Sequence, residues 1–305
     1  MNNAQGLSRA IPAEVKRQVR QRCGFGCVVC GAAVFQYDHM VTGFADADVH
    51  DPTDITLLCG FHHQMKTAGM LSVETVRRAN ASPKCRETGF ARGPFDIGPH
   101  FGEVRIASIS ALQTTNIISI YGDRVLYLEE PEEPGGPMRL NATLSDDSGV
   151  PVMQIVANEW RTPVENWDVL VAGQHITIKR ARTDTVLSMR IDPPNRIRFE
   201  RLHMFHRGVR IDCDANQHAT VTFPSGASVS TPGMQLQGAP SCIEVTTEHV
   251  RVGAFYSGPT GTGLGGPGAS RVYGLRITPP SAAQLMERAA RATQIDFLLR
   301  RQQGK

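Results

Sequence analysis

The sequence predicts an α+β chain in three parts: a small N-terminal domain stapled by a ligand cluster, a larger all-β module, and a closing helix. Three observations carry this. Cysteine and histidine pairs crowd into residues 27–63. From about residue 106, short apolar runs with period-two stretches follow one another at roughly ten-residue spacing. After Thr278-Pro-Pro-Ser281 the apolar period becomes helical through Leu285, Ala289, Ala292 and Leu299. A chain of 305 residues with 41% hydrophobic content can build a real core, and two domains are the natural expectation.

In chain order, Ile11-Pro12-Ala13-Glu14 opens a helix with Pro at its first position. Val15 and Val19 share one face, and Lys16, Arg17, Arg20 and Arg22 occupy the rest. Then come Cys27-Val-Val-Cys30, Tyr37-Asp38-His39, and a Thr-Asp54-Ile-Thr-Leu-Leu run leading into Cys59-Gly-Phe-His62-His63. A second helix is predicted near Val73 to Asn80, ended by Pro83 and carrying Arg77 and Arg78.

Two tight ligand pairs separated by a closing stretch of chain are what a tetrahedral Zn²⁺ needs. Cys27, Cys30, Cys59 and His62 form a closed set of three thiolates and one imidazole, suited to a structural site. Which of His62 and His63 takes the zinc stays open on sequence alone. Asp38, His39 and one trailing imidazole are left over, and they suit a second divalent ion beside a base that can activate water.

Here the segment resembles the HNH endonucleases, the ββα-metal nucleases, in their zinc-ribbon form. The likeness covers Ile11 to Pro83, about a quarter of the chain, and rests on CxxC, the Asp-His strand end, the Leu-Leu-Cys stretch and the closing pair. It implies a zinc-stabilised ββα-metal domain that hydrolyses phosphodiester bonds in double-stranded DNA. His39 would be the general base, while Asp38 and His63 would hold Mg²⁺ or another divalent metal. Asp54 stands where the family has a bracing Asn, five residues before Cys59; a carboxylate accepts those hydrogen bonds but donates none. His62 also departs from members that carry Cys there.

The flanks suit a polyanion. Residues 1–37 hold five basic side chains against one acidic, whereas 38–54 hold five Asp and no Lys or Arg. Lys16, Arg17, Arg20, Arg22, Lys66, Arg77 and Arg78 are the expected phosphate contacts. Net charge is only +3, so such affinity must be local. A different class of reading is a catalytically silent zinc module that binds nucleic acid or a partner protein.

Residues 84–105 are rich in Gly and Pro and lack a strand or helix period, so they read as a linker between a 1–83 domain and a 106–280 β module. That module is expected to be an antiparallel sandwich or barrel, or a β-solenoid. Residues 101–280 carry 16 basic and 18 acidic side chains, which disfavours a phosphate grip. A regulatory ligand or partner protein is the expected guest, and a nuclease joined to a sensing module is analogous to bacterial defence or mobile-element effectors. The glycine-rich Gly258–Gly268 lacks the Lys-Ser/Thr ending of a phosphate loop. Trp160 and Trp167 read as core or corner residues.

The 281–305 helix either packs on the β module or pairs subunits into a homo-oligomer. The N-terminus has no apolar leader and no run reaches membrane-spanning length. With four of seven cysteines assigned to metal, Cys23, Cys85, Cys213 and Cys242 read as reduced thiols, pointing to the cytoplasm.

Overall fold

A computed structural model describes residues 2–99, 102–213, 218–231, 233–247 and 249–253. The chain is α+β and mostly strand. It forms two compact units, and the first is discontinuous: it takes the chain to Phe95 and then Val152–Ser188. The second takes Asp96–Pro151 and the described residues from Met189 onward.

In the first unit, α1 spans Ala13–Cys23, with Pro12 one residue ahead of it and Gly24 closing it in the left-handed conformation at φ 70°. A Cβ on Gly24 would meet the Cys85 Cβ at 2.9 Å, so both backbone and space require glycine. Strands β1 (Gln36–His39) and β2 (Ile55–Leu58) pair antiparallel, with Asp38 opposite Thr56 and His39 opposite Ile55. Every residue of β2 is buried. It packs with Val19, Cys23, Val28, Met40 and Val76 into one apolar cluster. Helix α2 (Gly60–Thr67) follows β2 directly, and α3 (Val73–Ala81) begins at Ser72, whose hydroxyl accepts from the Thr75 amide at 3.1 Å.

The segment expected to be a linker contains a helix, α4 (Lys84–Thr88), and a strand, β3 (Phe90–Pro94). β3 pairs with Glu159–Pro163, which also pairs with Pro151–Val156. Its glycine is there for close approach rather than for freedom. Gly93 faces Trp160 across the strands, and a Cβ would lie 2.9 Å from the indole Nε1. In the second unit the same reason holds Gly102, whose Cβ would meet the Asn195 carbonyl oxygen at 1.9 Å. A hairpin of Asp168–Ala172 and His175–Lys179 also belongs to the first unit.

The second unit is built from strands at the expected spacing, but its sheets are mixed. Asn116–Ile120, Asp123–Glu129 and Arg139–Ser145 run as an antiparallel meander, with Ile243–Val245 joining Asn116–Ile120 in parallel. A second meander links Arg196–His206, Val209–Cys213, Ala219–Thr222 and Ser228–Thr231. Glu103–Ile106 lies parallel to Arg196–Phe199, and Met234–Gln237 parallel to Ile109–Leu112. A wholly antiparallel sheet is therefore not what forms. Short hairpins set the antiparallel neighbours, while long connections bring remote segments alongside in parallel.

Trp160 is buried, as a core role requires. Trp167 instead lies under the Arg17 guanidinium, 4.8 Å from its ring centroid, and offers its carbonyl to Gln21. Cys23, Cys85, Cys213 and Cys242 are buried. Among the described residues no helix is long and apolar enough to cross a membrane. The expected C-terminal helix and the glycine-rich 258–268 stretch lie outside the described residues.

Candidate metal centre

Two backbone turns assemble the ligand cluster. The chain reverses after α1, and the Cys27 amide donates to the Ala32 carbonyl while the Gly31 amide donates back to Cys27, each at 2.8 Å. Gly26 is obligatory in this turn, since a Cβ would approach the Gly31 carbonyl oxygen at 2.7 Å. The second turn is the junction of β2 and α2, where Cys59 precedes the first helical residue and His62 and His63 fall on the first turn.

These turns bring one ligand atom each from Cys27, Cys30, Cys59 and His62 within 4.8 Å of one another. The Cys30 and Cys59 sulfurs are 3.8 Å apart, and His62 Nδ1 lies 3.2 Å from Cys59 Sγ and 3.5 Å from Cys27 Sγ. A tetrahedron with Zn–S of about 2.3 Å and Zn–N of about 2.0 Å has S···S edges near about 3.8 Å and S···N edges near about 3.5 Å. The cluster can hold a zinc ion with little rearrangement. The Cys27 thiol is pulled down to about 4, first by a hydrogen bond from the Cys30 thiol and, against burial, by the Cys59, Cys30 and Val29 amides. The bond it donates pushes the Cys30 thiol up. One ready thiolate with further thiols beside it suits a metal that displaces protons on binding.

Next to this cluster, β1 and α2 meet at Asp38. His63 Nε2 is 3.5 Å from Asp38 Oδ1, so His62 turns toward the thiols and its neighbour toward the carboxylate. Asp38 is nearly buried and already has a cation: Lys66 Nζ stands 2.5 Å from its Oδ2 and 2.6 Å from the His39 carbonyl oxygen. Asp54 accepts from the Val41 and Thr42 amides at 3.0 and 3.1 Å, bracing the chain just beyond His39. An Asp meets that demand because both partners are donors. Burial, and then the neighbouring His50, hold the His39 imidazole below its usual range.

The expected phosphate contacts divide. Arg20 is buried, its Nε and Nη2 on the two oxygens of Asp168 at 2.9 and 2.6 Å and its Nη1 on the Tyr37 hydroxyl at 2.7 Å. Arg22 donates to the Pro52 and Ile55 carbonyls and to Asn80. With Lys66 on Asp38, three of the seven are structural cations. Lys16 and Arg17 lie over the Tyr37 and Trp167 rings, and Arg17 also pairs with Glu14. Arg77 and Arg78 are exposed. His50, whose place beside Asp51 marks it in the sequence as half of a loop pair rather than a ligand, lies in a loop but is buried beside His39.

Comparison with family models, with curated proteins and with solved structures finds no match to this chain.

Proposed function

We propose that the first unit carries an HNH-type, ββα-metal endonuclease site that hydrolyses phosphodiester bonds in DNA, with the second unit regulating or targeting it. The observation that carries this reading is the convergence of Asp38 and His63, 3.5 Å apart and flanked by His39, beside a cluster that can hold zinc. Support also comes from the order strand, loop, strand, helix that builds it.

In this reading the two sites have separate duties. Cys27, Cys30, Cys59 and His62 hold the zinc that fixes the turn into α2. Asp38 and His63 offer a carboxylate oxygen and an imidazole nitrogen to Mg²⁺ or another divalent ion, which would stabilise charge building on the scissile phosphate. His39, neutral in its half-buried setting, takes the proton of the attacking water. Lys66 pairs with Asp38 and ties it to the His39 backbone. A nuclease coupled to a separate sensing unit would fit a bacterial defence or mobile-element effector.

The test is plasmid cleavage with added divalent metal. The wild type is expected to nick or linearise DNA, while His39→Ala loses cleavage by a factor of about 100 or more and keeps its zinc. Cleavage by His39→Ala at the wild-type rate removes His39 as the base. One observation favours a second reading: the ammonium of Lys66 already satisfies Asp38, as it would in a catalytically silent zinc module binding nucleic acid or a partner protein. A wild type that binds zinc and DNA but never cuts supports that alternative.

A further inference from the structure

His50 interrupts the Asp-rich loop between β1 and β2, yet it is only 7% exposed. Its Nε2 lies 2.8 Å from the Ser8 carbonyl oxygen. A carbonyl only accepts, so Nε2 carries the proton and Nδ1 is left with a bare lone pair. That Nδ1 is buried without a protein partner, and so is Nε2 of His39. The two rings are neighbours, with centroids 5.6 Å apart and planes tilted by 40°. Two imidazoles sharing one N–H···N bond of about 3.0 Å have centroids about 5.3 Å apart.

We propose that His50 is the positioning residue of His39: its Nδ1 accepts the His39 Nε2–H, and its own Nε2–H is anchored on Ser8. The polarity of that chain is complete. Each ring donates through Nε2, and only the His39 Nδ1 lone pair is left to take a proton from elsewhere. The N-terminal segment serves as the anchor, because Asn3 Nδ2 also holds the Phe44 and Ala47 carbonyls at 2.7 Å. Phe44 stacks on His50 at 6.3 Å and lies 6.0 Å from His39, closing the pair with an apolar face. The inference rests on the reading of His39 as the base, but the tautomer it demands exists whether or not DNA is cut.

The test uses the full-length, zinc-loaded protein with ¹⁵N-labelled histidine and two variants. His50→Gln keeps an amide able to reach Ser8 but has no acceptor at the Nδ1 position; His50→Asn keeps an oxygen near the Nδ1 position. Long-range ¹H–¹⁵N correlation is expected to show His39 as the Nε2–H tautomer in the wild type and in His50→Asn, and as Nδ1–H or a mixture in His50→Gln. In plasmid cleavage, His50→Gln is expected to lose about tenfold or more in kcat with KM unchanged, and His50→Asn to recover part of it. A wild-type His39 protonated on Nδ1, or the same tautomer in the wild type and His50→Gln, overturns the proposal; the wild-type spectrum alone decides it if a variant does not fold. The expected tautomer shift in a protein that never cuts DNA would instead fault the nuclease reading and leave the positioning contact standing.

Discussion

Arg20 spends three of its guanidinium nitrogens inside the protein, two on Asp168 and one on Tyr37. Both charged side chains are about nine-tenths buried. Removing one partner leaves the other charge with no solvent to hold it, which costs about 3–5 kcal/mol, whereas replacing both by apolar groups costs far less. Asp168→Ala is therefore expected to lower unfolding stability by about that amount, and Arg20→Met combined with Asp168→Leu to lower it less than the single change. Urea denaturation of the three proteins measures it, and a loss below about 1 kcal/mol in Asp168→Ala means the pair is not buried in solution. None of this is legible in the sequence. A helix arginine destined for a phosphate and one destined for a carboxylate 148 residues away have the same local context. Lys66 repeats the lesson, because the ion pair that removes it from the surface depends on how α2 lies against β1.

At the scale of elements, the turns after α1 and before α2 hold a site that two sequence pairs had already marked. It was legible because each pair sits on a tight turn, so spacing along the chain translates directly into spacing in space. Cys59→Ser is expected to lose zinc and to loosen β2 and α2 together, since the cluster is what joins them. Elemental analysis with limited proteolysis checks this, and unchanged zinc in that variant would contradict the assignment. The β3 segment shows the opposite case. Its glycine and proline content looked like a linker, but Gly93 is small because an indole lies against it. Composition cannot separate a glycine that must bend from one that must make room. His50 was hidden for a related reason: an acceptor that lacks a partner leaves no trace in residue order.

At the scale of the whole molecule, one division between the units falls at Phe95/Asp96, inside the 84–105 stretch, but the first unit also recruits Val152–Ser188. Sequence reading cuts a chain where its composition changes, while packing joins whatever segments complete a core. The strand-rich second unit was foreseen from period and turns, but its parallel pairings depend on contacts between remote segments that no local period encodes. The distribution of charge also sets how DNA should bind. With Arg20, Arg22 and Lys66 engaged internally, Lys16, Arg17, Arg77 and Arg78 are left from the expected set. Affinity should fall with log salt at a slope no steeper than about −3.6, taking about 0.9 per phosphate contact. A fluorescence-anisotropy titration over a range of salt gives the slope, and a value near about −6.3 would mean that the buried cations reach phosphate after all.

The Arg20–Asp168 tie also sets an order of assembly. On the ribosome, Arg20 emerges 148 residues ahead of its carboxylate. At about 5–20 residues per second that is a wait of roughly 7–30 s. Through this interval the knuckle cysteines are already out and can take metal, yet α1 carries a cation whose burial has not been compensated. The N-terminal helix is therefore expected to settle only after Asp168 has been made, and a nascent chain stalled before residue 168 would present the ligands of the metal centre on a scaffold not yet locked.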